Sequence, residues 1–203
     1  LTATSASTNL SCYGAADGTI TVSGAAGGLG TYEYTIDGGT SWQSSNSFSA
    51  LPAGFYNVQV RDAVNTSCIK IINGSLFISE PPALNANLSK TDVTCNLAND
   101  GTILVSSATG GYGTYEYTID GGLTWQASGS FTALAPGFYN VRIRDAAFTA
   151  CEIILEGALE ITEPAAITAT VTSTDITCNL ANDGTIIISA PGGGYGIYQY
   201  TTD

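Results

Sequence analysis

The chain has no histidine, no methionine, and only five lysines and arginines in 203 residues. Without histidine, neither a Ser-His-Asp triad nor a Cys-His pair can form in this stretch. Five basic residues against seventeen acidic ones give a net charge of −12. That balance supplies no cluster of cations for nucleic-acid phosphates, and it disfavours an anionic membrane surface. No apolar run approaches the roughly 18 residues that span a bilayer, so no membrane insertion is expected in this region. The five cysteines form no CxxC pair, and with no histidine the usual zinc ligand sets are missing. Charged residues make up only 11% of the chain, too few for a disordered acidic tail. Glycine, serine, threonine and alanine fill the polar positions instead, as in extracellular β-proteins built from short strands and turns.

What the chain has is repetition. Cys12 opens CYGAADGTITVSG, Cys95 opens CNLANDGTILVSS and Cys178 opens CNLANDGTIIISA, each 83 positions after the last. Cys68 and Cys151 keep the same spacing, as do Trp42 and Trp125, and Tyr56 and Tyr139. TYEYTIDGG recurs unchanged at 31 and 114. A fixed period of this kind marks an array of structural units. The expected organisation is repeat 1 over 1–83, repeat 2 over 84–166, and the N-terminal part of repeat 3 over 167–203. The third copy stops half built, and there is no initiator methionine or signal peptide. The 203 residues therefore read as an excerpt of a longer polypeptide.

Inside one period the pattern is that of strands. Residues 1–8 alternate weakly. After the Asp17-Gly18 turn, Ile20 and Val22 share one face, the period-2 signature of a half-buried strand. Tyr32, Tyr34 and Ile36 alternate with Glu33, Thr35 and Asp37, and a D-G-G turn follows. Residues 40–51 are expected to hold one or two short strands. Phe55 to Arg61 alternates again, with Tyr56, Val58 and Val60 inward, and a last strand runs from Cys68 to Ser79 before Pro81. About seven short strands and no helical pattern predict an all-β fold: tandem immunoglobulin-like antiparallel β-sandwich repeats in a rod-like array. LPAGFY at 51–56 and LAPGFY at 134–139 fit a tyrosine corner centred on Tyr56 and Tyr139. The joints, Glu80-Pro81-Pro82 and Glu163-Pro164-Ala165, are short and stiffened by proline.

Paired cysteines at a fixed period fit an oxidising compartment. Two connectivities stand open. One closes Cys12–Cys68 and Cys95–Cys151 inside each repeat. The other follows from strand parity: Cys12 lies at one end of its sandwich and Cys68 at the other, separated by a strand of roughly 23 Å, whereas bridged Cα atoms lie about 4.4–6.8 Å apart. Parity instead brings Cys12 towards Cys151 of the next repeat. Cys178 is left with a partner outside the excerpt.

The other candidate sites read as structural. Asp17, Asp100 and Asp183 in D-G-T, Asp37 and Asp120 in D-G-G, and Asp203 at the matching position of copy three, offer one carboxylate per turn, where calcium needs several converging oxygens. No cofactor, metal ligand or catalytic residue is expected, and calcium is the one metal these turns leave open. Trp42 and Trp125 follow the D-G-G turns and are candidate surface-binding aromatics, with packing on a sheet face as the competing role. GGLGTY and GGYGTY lead into strands and lack a phosphate-binding frame. Glu33 with Arg61, and Glu116 with Arg144, are placed to pair across neighbouring strands.

At CNLANDGTI, GGYGTYEYTIDGG, LAPGFYNVRIRD and ITEP the chain resembles the SprB-type repeats of large surface adhesins of gliding Bacteroidota. Copy one departs from the opening, reading CYGAADGTI, so Asn is not required at 13 or 16. The resemblance implies a segment of an outer-membrane-associated surface filament, exported by type IX secretion. It implies contact with an extracellular substratum or surface polysaccharide, and links to gliding and secretion machinery through regions beyond these residues. Within the chain, the expected partners are the neighbouring repeats. A carbohydrate- or protein-binding module, or the stalk of a secreted enzyme, are the competing readings.

Overall fold

A computed structural model describes residues 1–202; Asp203, the counterpart of Asp37 and Asp120 in copy three, lies outside the described residues. The described residues form strands and turns with no helix. In the first period the strands are β1 (Thr2–Thr8), β2 (Gly18–Ala26), β3 (Tyr32–Thr35), β4 (Ser47–Leu51), β5 (Gly54–Asp62) and β6 (Ile69–Ile78). They make two antiparallel three-stranded sheets, ordered β1-β2-β4 and β3-β5-β6. That is the immunoglobulin order A-B-E and C-F-G, with strand D absent.

The missing strand explains why six strands form rather than seven. Asp37 accepts hydrogen bonds from the Ser41 backbone N–H at 3.0 Å and from its hydroxyl at 2.5 Å. Tyr34 and Gln43 exchange backbone bonds of 2.7 and 3.0 Å. Residues 37–43 are thereby spent closing a turn on β3. Only Ser47–Leu51 remains free to cross to the other sheet.

Alternation in β2 and β5 sends Ile20, Val22, Val58 and Val60 into the core, where Leu10, Tyr34, Leu51, Leu76 and Ile78 meet them. Each such aliphatic side chain contributes roughly 1.5–3 kcal/mol when fully buried. β5 is bulged around Val58, and Gln59, which simple alternation would expose, is buried beside it. Its amide donates to Asn57 Oδ1 at 3.1 Å.

The second period repeats this arrangement with β7 (Asn85–Thr91), β8 (Gly101–Thr109), β9 (Tyr115–Thr118), β10 (Ser130–Leu134), β11 (Gly137–Asp145) and β12 (Glu152–Ile161). Its sheets are ordered β7-β8-β10 and β9-β11-β12. Val93, Ile103, Val105, Tyr117, Val141, Ile143 and Ile161 are buried, each 83 positions beyond its counterpart in the first core. The third period contributes one hairpin, β13 (Thr168–Thr174) with β14 (Thr185–Gly192).

The chain separates into two compact units. The first holds Leu1–Asn85 together with Ala108–Tyr115 and Arg144–Ile153; the second holds Ala86–Ser107, Glu116–Ile143 and Ile154–Asp203. The first unit thus contains one whole sandwich and two loop segments from the second period, which places a joint within it.

Candidate functional site: a cysteine joint

Cys12 sits in the turn after β1. Leu10 N–H donates to Ser79 O at 3.0 Å, fixing this turn to the far end of β6. Ser11 donates its backbone N–H at 3.0 Å and its hydroxyl at 2.5 Å to Asp17, and these bonds hold the Asp17 carboxyl below the usual carboxylate range. Gly14 N–H donates to Glu80 Oε2 at 2.8 Å, so the acidic residue of the linker braces the same turn. Ala16 adopts φ +46° here. Its counterparts Asn99 and Asn182 adopt φ +52° and +53°, which suits asparagine better than alanine.

Cys68 immediately precedes β6, a ten-residue strand that spans about 33 Å. Leu10 is tied to the other end of that strand. Cys12 and Cys68 are therefore far beyond disulfide reach, and the pairing inside the repeat does not form. Cys12 is bonded instead to Cys151, with Cα atoms 5.4 Å apart across 139 residues of sequence. Cys68, Cys95 and Cys178 are free and exposed.

Further contacts build the joint around the bridge. Gly111 N–H donates to Pro82 O at 2.8 Å. Tyr112 donates its hydroxyl to Leu10 O at 2.8 Å, and its ring packs on Phe148 with centroids 4.7 Å apart. Asp145, which is buried, accepts from the N–H groups of Tyr112, Ala147 and Phe148 at 2.5, 2.8 and 3.1 Å. One carboxylate thereby sets both loops that reach the joint. Asp62 does the same in the first period for Leu29, Val64 and Asn65, and the bonds from Leu29 and Asn65 hold its carboxyl low. A Cβ at Gly111 would run into Asp145 and approach Leu84 at 3.1 Å, and φ is +56°, so the loop tip needs glycine. A cavity of about 120 Å³ lies beside the bridge, lined by Cys12, Pro81, Pro82, Cys151 and Ile153 among others. That is smaller than the pockets that take organic ligands.

The remaining candidate residues are occupied structurally. The Trp42 indole N–H donates to Gly39 O at 3.0 Å, and the Arg61 guanidinium stacks 4.4 Å from the ring centroid. Arg61 also pairs with Glu33 across the sheet at 2.7 Å. Trp125 is likewise half-buried, bonded to Gly122 O at 3.0 Å. Burial would raise the Asp37 carboxyl, but bonds from Ser41 and Thr35 outweigh it and hold it low; Asp120 behaves alike with Thr118 and Thr124. Asp100 and Asp183 are held low by Thr94 and Thr177. Among the described residues no three His, Cys, Asp or Glu side chains converge on one point.

Tyr56 donates its hydroxyl to Pro52 O at 2.7 Å, and Tyr139 to Ala135 O at 2.8 Å. These are tyrosine corners tying the start of β5 and β11 to the preceding turn. Tyr56→Phe is expected to cost about 0.5–1.5 kcal/mol in urea unfolding, with no change in disulfide pairing. A neutral result would mean the hydroxyl contributes nothing beyond what water replaces.

Sequence reasoning missed Tyr112, Asp145 and Glu80. The available signal was the change from GGLG in copy one to GGYG in copies two and three, since Leu29 has no hydroxyl to donate.

The described residues thus form antiparallel β-sandwich repeats, with a disulfide that links segments of two successive periods. The SprB repeat model matches residues 4–41 and 87–124. The two matched segments run from within β1 or β7 through the D-G-G turn. SprB repeats are structural repeats of adhesin-like proteins at the cell surface or outside the cell. No curated protein and no solved structure matches the chain. No helix of the described residues is long and apolar enough to cross a membrane.

Proposed function

We propose that the chain is a segment of a large secreted surface filament, giving length, stiffness and multivalent attachment, and that it performs no catalysis. The observation that carries this reading is the joint. A bridge spanning 139 residues, braced by Tyr112, Glu80 and Asp145, serves to hold repeat to repeat. Near-identical surfaces at a fixed period gain avidity by binding weakly many times. Trp42 and Trp125 are engaged in packing, which favours a spacer over a sugar-binding platform. The resemblance to gliding adhesins supports export by type IX secretion and attachment to a substratum.

Antibodies raised against this chain are expected to label intact cells, and electron microscopy of the purified native protein to show a long thin fibre. A compact particle, or labelling only after lysis, would sink the reading.

A further inference from the structure

We infer that the Cys12–Cys151 bridge is one member of a series: the first cysteine of each repeat bonds the second cysteine of the repeat after it. Cys95 then takes the second cysteine of a following copy in the same polypeptide, and Cys68 the first cysteine of a preceding one. This rests on the proposed reading of the chain as part of a longer array.

The free cysteines are built like the bonded ones. Around Cys12, Ala15 N–H donates to Cys12 O at 3.2 Å; around Cys95, Ala98 N–H donates to Cys95 O at 3.0 Å. Ser11 is held by Asp17, and Thr94 by Asp100 through a backbone bond of 2.8 Å and a hydroxyl bond of 2.5 Å. Glu80 braces Gly14, and Glu163 braces Leu97, both at 2.8 Å. At the second position, Cys151 N–H donates to Phe148 O at 2.8 Å and its carbonyl accepts from Asp145 at 2.9 Å. Cys68 repeats this with Asn65 at 2.9 Å and Asp62 at 3.0 Å.

Two contacts of the joint that would carry the next bridge are already in place. Within the second unit, Gly194 N–H donates to Ala165 O at 2.8 Å, and Tyr195 reaches Val93 O at 3.5 Å. These match Gly111 with Pro82, and Tyr112 with Leu10, beside the formed bridge. Cys95 is thus a half-bridge in a partly formed setting.

Closing it removes two protons and two electrons from a pair of thiols as the sulfur–sulfur bond forms. A disulfide of a thiol-oxidising exchange partner takes them up and becomes two thiols. Cys95 lies inside the loop that Cys12 and Cys151 close, so successive bridges interleave rather than follow one another.

The test is peptide mapping without reduction. In the 203-residue chain, Cys12 should appear joined to Cys151, with Cys68, Cys95 and Cys178 unpaired; pairing inside each repeat would leave Cys178 alone free. The chain is then lengthened after Asp203 by a copy of residues 121–166, which completes the third repeat. One new bridge should join Cys95 to the copied cysteine, leaving Cys68 and Cys178 free. The Cys12–Cys151 peptide in the same digest reports folding. Cys95 left unpaired, or joined to Cys68, overturns the series. Either result would leave the surface-filament reading untouched, because that is tested on cells.

Discussion

Stretched from its two ends, the oxidised chain will stop about 470 Å short of the reduced chain, because the 139 residues between Cys12 and Cys151 cannot pay out at about 3.4 Å each. Single-molecule pulling with and without reductant measures this directly. The bonded sulfurs form a shortcut: force entering at Leu1 reaches Cys12 after a few residues and crosses to Cys151. Most of both sandwiches is shielded from it. Reduction is expected to release the hidden length as one increment. Two separate increments of about 190 Å would instead mean Cys12–Cys68 and Cys95–Cys151, and would defeat the assignment. Cys12→Ser should reproduce the reduced behaviour without reductant. The same variant is expected to lose about 2–4 kcal/mol of stability, since a long loop is no longer closed in the unfolded chain.

Acid should unfold the protein from about pH 4 downwards, with stability level between about pH 5 and 7. Asp17, Asp37, Asp62, Asp100 and Asp120 all have carboxyls held below the ordinary value by hydrogen bonds. In the unfolded chain each titrates near 3.9. As pH falls through that value the unfolded chain takes up protons that the folded chain still refuses, so acid favours unfolding. These groups contribute stability that is fully present above about pH 4. The net charge of −12 works the other way, since neutralising it relieves repulsion. That effect acts between dispersed surface charges and is screened beyond about 8 Å at physiological salt, so the local bonds dominate. Urea unfolding at a series of pH values gives the curve. Asp62→Asn should flatten its acid limb. Stability that is constant or rising between pH 5 and 2.5 would show that the carboxylates do not matter.

Much of this was readable in the residues, because strands write themselves as alternation. Ile20 with Val22, and Val58 with Val60, mark core faces without help from the rest of the chain. The 83-residue period needs only counting. The tyrosine corners rest on a local turn and were equally plain. The absent D strand was not, because TSWQSSN has strand-like residues whose partners are decided by Asp37 reaching Ser41. The cysteine connectivity stayed open for a similar reason. Parity along a strand separates Cys12 from Cys68 and points Cys12 towards Cys151, but it is the folded loops at 108–115 and 144–153 that bring Cys151 within bonding reach. Loops carry no periodicity, and their course depends on single carboxylates such as Asp145. Trp42 shows the same limit from another side: its position after a turn allowed exposure or packing, and the stacking of Arg61 came from strand register.

The long span of the Cys12–Cys151 bridge has one more consequence. A peptide bond broken anywhere between those two cysteines leaves the halves joined through sulfur. An exposed loop nicked by an external protease would open without severing the molecule. A strand carrying such spans tolerates damage as a braided cord does, where one cut fibre does not part the line.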